Sequence, residues 1–152
     1  MSRRKSRIIA FQGLYSWDVG GMSEKDVLEL DWVDSKAAEI NDDEESSGET
    51  APKVKIDDEG AAFSRMLIAG TIENIEKIDE TIKAHLTNWD FDRVNRVTIA
   101  ILRMSVYSLM FTKDIDASVV IDEAIDIAKN YGPDDSYKFV NAILDNIKKS
   151  LG

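Results

Sequence analysis

The stretch RVNRVTIAILRMSVYSLMF, Arg93 to Phe111, decides how this chain must fold. From Val97 onward apolar residues fall on most faces of any helix drawn through it, which is the pattern of an element packed on several sides. The run is shorter than a membrane span needs and carries Arg103 near its middle, a costly residue in lipid. It therefore reads as the buried central helix of a globule, and the flanking segments must supply the walls.

On its N-terminal side, Trp89-Asp90-Phe91-Asp92 forms a junction between two lobes, after a break at Thr87-Asn88. Before that break Met66, Leu67, Ile68, Ile72, Ile75, Ile78, Ile82 and Leu86 recur at helical spacing, predicting one long helix from Asp58. On the C-terminal side Lys113-Asp114 closes the central helix. A further helix, Ser118 to Tyr131, carries Val120, Ile121, Ala124 and Ala128 inward, and Gly132-Pro133 stops it. The last helix starts near Asp134 or Asp135, with Phe139, Val140, Ile143, Leu144, Ile147 and Leu151 on its buried side. At the other end of the chain Ile8, Phe11, Leu14 and Tyr15 mark a first helix that ends at Gly20-Gly21. Ser23 and Asp26 then cap a weaker one through Val27, Leu28, Leu30 and Val33. No segment alternates with period two, so the expected class is all-α with no sheet. One domain is expected over 1–152, with lobes at 1–88 and 89–152. The segment NDDEESSGETAPKVKI, 41–56, has no period and too little apolar surface to offset its ordering entropy, and is expected to be a mobile acidic loop.

Composition narrows the chemistry. At 152 residues and 43% hydrophobic content the chain can bury one real core. It has no cysteine, which excludes disulfides, thiolate nucleophiles and sulfur-ligated metals. The positive N-terminus is not followed by the apolar run of a signal peptide, because Gln12, Gly13, Ser16 and Asp18 interrupt it, and a cytoplasmic protein is expected. His85 is the only histidine and stands at a helix end without a partner to orient it, so it reads as a capping or solvated imidazole. With no phosphate loop after a strand and no paired catalytic groups, neither an enzyme nor a cofactor is expected.

A net charge of −10 argues against nucleic acid on average, yet the charge is unevenly spread. Arg3, Arg4, Lys5 and Arg7 lie within five residues, no acid precedes Asp18, and much of the negative charge sits between Asp31 and Glu59. At 100° per residue Arg3 and Arg7 stack, Arg4 and Ile8 lie on the adjoining strip, and Gln12, Tyr15 and Trp17 follow. A basic stripe beside amide and aromatic groups can grip phosphates and stack single-stranded bases. Charge alone equally permits a frayed basic end, with Tyr15 and Trp17 in the core.

The opening RRKSRIIAFQGLYSWD, 3–18, resembles the start of the NusB family of bacterial transcription antitermination factors, whose pattern is close to RRxARExALQALYxWD. WDFDRVNRVTIAILRMSVYSL, 89–109, and VVIDEAIDIAKNYGPDDSYKFVNAILDNI, 119–147, are similar to two further segments of that family, and YGPDDSYKFVNAILD is the most specific of them. Only about 22–56 lacks a counterpart. The resemblance implies an all-α bundle of about seven helices in two lobes. It also implies a non-catalytic adaptor that binds single-stranded boxA RNA of ribosomal RNA operon leaders together with NusE, a small-subunit ribosomal protein, and joins the elongating RNA polymerase with other Nus factors. By position it assigns Arg3, Arg4, Lys5, Arg7, Gln12 and Tyr15 to RNA, together with Asp135, Lys138 and Phe139 at the start of the last helix. The alternatives for those three are a helix cap, a solvated cation and a core aromatic. Thr98 and Glu123 are assigned to NusE, although Thr98 stands where the family usually has an acid. Ile8 likewise replaces a usual acid, leaving the basic helix without an internal counter-charge.

Two other readings compete. A homodimer could mask the RNA surface and make the chain a self-associating interaction module. The NusB-like domain of some RNA methyltransferases is the other, and it is disfavoured at this stage because no methyltransferase domain follows Gly152.

Overall fold

A computed structural model describes residues 2–33, 57–86 and 90–152. The acidic segment 41–56 and Trp89 lie outside the described residues. Among those described there are seven α-helices, one 3-10 turn and no strand. The helices are α1 (Arg3–Asp18), α2 (Glu24–Glu29), α3 (Asp58–Glu73), α4 (Ile75–Ala84), α5 (Arg96–Phe111), α6 (Ala117–Tyr131) and α7 (Ser136–Leu151), with the 3-10 turn at Phe91–Arg93. The all-α expectation holds. The chain divides into two compact units, 1–68 and 69–152, with the division inside α3.

In the first unit α1 begins at a Ser2 N-cap, whose Oγ accepts a hydrogen bond from the Lys5 backbone N–H at 3.1 Å. Its middle is buried on nearly every side, Ser6 to Leu14 with only Gln12 half-exposed, so it is a core helix and not a surface stripe. Gly13 lets Trp32, Val27 and Ile68 close on the helix, since a Cβ there would lie 3.0 to 3.1 Å from all three side chains. The Ser64 hydroxyl donates to the Ser6 carbonyl at 2.9 Å, tying α3 to the first turns of α1. α2 ends at Leu30 in the left-handed region (φ 61°).

In the second unit α5 packs against α4, α6 and α7. Ile99, Ile101, Leu102 and Val106 are fully buried, as its all-round apolar pattern requires. Burial of each such side chain stabilises the fold by roughly 1.5–3 kcal/mol. Arg103, the charge in that run, is also buried and is held by Asp79 of α4 in a two-pronged pair, Nε to Oδ1 and an Nη to Oδ2, each 2.9 Å.

Two element boundaries and one buried position differ from the sequence reading. The long helix expected from Asp58 to Leu86 is interrupted at Asn74, whose side-chain amide donates back to the Gly70 carbonyl at 2.8 Å, drawing the side chain to the preceding turn. The helix expected from Arg93 begins at Arg96, because Asn95 Oδ1 accepts from the Val97 and Thr98 N–H groups and caps it there. At the other end of α7, Leu151 is exposed. His85 caps α4, its Nδ1 donating to the Thr81 carbonyl at 2.9 Å.

Candidate nucleic-acid interface

The basic cluster sits on the first two turns of α1. The Ser2 cap takes the Lys5 N–H, and the N–H groups that remain at the helix start, with the positive end of its dipole, favour anions; no acid occupies the first turn. The four cations are not equivalent. Arg3 and Arg4 are exposed and Lys5 is half-buried, while Arg7 is only 6% exposed. Phe63 of α3, a buried ring, carries the Arg3 guanidinium 4.0 Å from its centroid and that of Arg7 at 5.3 Å. Like charges at i and i+4 repel, and the negative face of the ring between them offsets that repulsion. Further along α1, Gln12 and Tyr15 are half-buried, and Gln12 Oε1 is buried without a hydrogen bond among the described residues.

The second group of expected site residues surrounds the turn from α6 into α7. Gly132 ends α6 in an extended conformation, its N–H donating to the Ala128 carbonyl at 2.9 Å. A Cβ at Gly132 would collide with Ser136 Oγ and come within 2.9 Å of the Ala128 oxygen, so glycine is required here for close approach. Asp135 precedes α7 with φ 67°, in the left-handed region that costs most residues energy, and its carboxylate does not cap the helix. Asp135 and Lys138 are both strongly exposed and face one another at 3.9 Å, a pairing worth little in water.

Phe139 is half-buried and lines a cleft of about 390 Å³ with Val94, Asn95, Thr98, Asp135 and Ser136. Ser136 Oγ is buried at this cleft with no hydrogen bond among the described residues. An aromatic flank beside a buried hydroxyl that lacks a partner among the described residues suits a flat ligand with a polar edge. Thr98 is 2% exposed and its hydroxyl donates to Asn95 Oδ1 at 3.5 Å, so it serves as cleft wall and offers little side-chain surface to a protein partner. Glu123 is half-buried on α6.

Phe63, Asn95 and Ser136 were missed in the sequence reading. Asn95 alone carried a usable signal, an N-cap residue directly before an apolar helix. Among the described residues no group of acidic or histidine side chains could hold a metal ion, and no helix is long and apolar enough to cross a membrane.

Comparison with known proteins gives one consistent answer. The NusB family model matches residues 4–149. The transcription antitermination protein NusB of Treponema denticola is 47% identical over 148 residues, covering 97% of this chain and 96% of that protein. That of Bacillus licheniformis is 39% identical over 151 residues, 99% of each. Among solved structures, T. maritima NusB superposes with a TM-score of 0.74 at 34% identity, covering 98% of this chain and 92% of that one. A chain of the crystal structure of antitermination factors NusB and NusE in complex with dsRNA gives 0.76 at 28% identity, covering 97% and 96%. Family match, sequence similarity and superposition along almost the whole length thus agree, and the chain belongs to the NusB family.

Proposed function

We propose that this protein is an RNA-binding transcription antitermination factor that binds boxA RNA of ribosomal RNA operon leaders together with NusE and joins the elongating RNA polymerase with other Nus factors. The observation that carries this reading is the start of α1, where Arg3, Arg4 and Lys5 surround an uncapped-by-acid helix N-terminus in a chain that is otherwise strongly acidic. Such a concentration of cations at a helix start fits a phosphate backbone. Its support comes from relatives that are antitermination proteins and from a structural neighbour solved with NusE and dsRNA.

In this reading the chain is an adaptor that works in the cytoplasm without a catalytic step. Arg3, Arg4 and Lys5 meet phosphates, and Gln12 and Tyr15 supply adjoining polar and aromatic contacts. Phe139 offers a stacking face, while Asp135 and Lys138 offer an acceptor and a donor to base edges. Thr98 and Glu123 lie on the NusE side, with Thr98 contributing shape more than charge.

The test is affinity for a single-stranded boxA RNA, its scrambled counterpart and its duplex form, each with and without NusE, at two salt concentrations. Preference for the single-stranded boxA sequence, strengthened by NusE, is the expected result. Equal affinity for all three RNAs in both conditions would refute the reading.

A further inference from the structure

We propose that Phe63 is a positioning residue for RNA binding, a platform that holds the Arg3 guanidinium in place before the RNA arrives. The inference rests on the RNA-binding reading above and goes beyond it, because it assigns a role to a residue of α3 that is not itself basic, polar or exposed.

The argument begins with Arg3, which stands in the first position of α1 where a long side chain would ordinarily sweep through many rotamers. Its guanidinium instead lies 4.0 Å from the centre of the Phe63 ring, well within cation–π range. A guanidinium held over a ring at its carbon centre keeps N–H donors at its outer edges, where a phosphate can take two of them at once. Phe63 is itself fixed, being buried in α3 beside Ser64, whose hydroxyl donates to the Ser6 carbonyl of α1 at 2.9 Å. The ring is therefore anchored against the very turn whose cation it carries. Arg7 approaches the same ring at 5.3 Å but is 6% exposed, so it steadies the platform while Arg3 faces solvent. Ordering Arg3 in the free protein removes an entropy cost from the binding step, which raises affinity without any contact between Phe63 and RNA.

The experiment compares the full chain carrying Phe63→Leu, Phe63→Tyr, Ser64→Ala, Arg3→Ala and the double change Arg3→Ala with Phe63→Leu. Each is assayed for boxA RNA affinity across a salt series, and circular dichroism establishes equal helix content. Phe63→Leu keeps most of the apolar volume and removes the ring face; it is expected to weaken binding roughly two- to five-fold. Phe63→Tyr restores binding, because its ring keeps the face. Ser64→Ala removes the tie between α3 and α1 but leaves the ring buried, so it is expected to weaken binding by less than Phe63→Leu does; a larger loss than that of Phe63→Leu would overturn the platform role. In the Arg3→Ala background, Phe63→Leu has no further effect. A Phe63→Leu loss that persists undiminished without Arg3, or that Phe63→Tyr fails to restore, overturns the platform role and leaves the RNA-binding reading intact. Absence of sequence-preferring binding by the unaltered chain overturns that reading itself, and the platform role with it.

Discussion

Arg4 and Arg7 carry the same charge three residues apart, and their surroundings separate their roles. Arg4 is exposed, so Arg4→Ala should remove about one phosphate contact and flatten the slope of log affinity against log salt by about 0.7. Arg7 is buried beside Phe63, and Arg7→Ala should act mainly on folding, lowering the thermal midpoint by the equivalent of about 1–3 kcal/mol while the salt slope hardly changes. Equal slope changes for the two variants would contradict this division. Tyr107 of α5 gives a second residue-scale test. Burial, and then the negative charge of Glu73, raise its phenol above the ordinary value of 10.0. The neutral phenol is thus favoured in the folded protein: its stabilising contribution is complete below the unfolded value and is lost as pH rises through the folded one. A phenolate absorbance titration, compared with that of Tyr107→Phe, should assign Tyr107 a midpoint above 10.0. Gly70 leaves room for that ring, since a Cβ there would overlap Tyr107. Gly70→Ala should push the ring outward and lower its midpoint, with a net stability change within about 1 kcal/mol, because alanine's helix propensity offsets the lost packing.

At the scale of elements, the turn between α6 and α7 determines what the cleft can hold. A Cβ at Gly132 meets the Ala128 carbonyl, which is backbone and cannot swing aside, as well as Ser136 Oγ. Gly132→Ala should therefore cost about 1–3 kcal/mol in a denaturant titration and displace the start of α7, weakening RNA binding more than its effect on stability explains. Retention of full affinity would place the bound RNA away from the cleft beside Phe139. This turn was legible in the sequence, because Gly132-Pro133 is a stop signal that neighbouring packing cannot disguise. The periodic faces of α1, α5, α6 and α7 were legible for the same reason: spacing is a property of the chain itself. The break at Asn74 was not, since Ile72, Ile75 and Ile78 keep helical spacing straight through it and the interruption comes from one side-chain amide. Nor was the burial of Arg7 and Arg103. Each depends on a distant partner, Phe63 or Asp79, and charge read along a sequence always points to solvent. The candidate site suffers most from this limit, because Phe63, Asn95 and Ser136 acquire meaning only through what folding brings beside them.

For the whole molecule the question is how a chain of net charge −10 holds a polyanion at all. At long range the two repel, so in the proposed reading attraction is local to the α1 start and acts within about a Debye length, roughly 10 Å at 0.1 M salt. Only Arg3, Arg4 and Lys5 of the four cations there are accessible enough to displace counterions. Three phosphate contacts on a single strand imply a slope near −2, and hence a loss of roughly twenty-fold between about 50 and 200 mM salt. Counterion release that weak cannot sustain tight binding by itself. Base contacts and a protein partner must supply the remainder, and both are far less salt-sensitive. Affinity for scrambled RNA should accordingly become unmeasurable at moderate salt while boxA RNA with NusE remains bound, the two falling with the same shallow slope because they share the same phosphate contacts. A steep slope, set by six or more contacts, would mean that cations outside α1 carry the RNA, and the second half of the chain would then be the place to look for them.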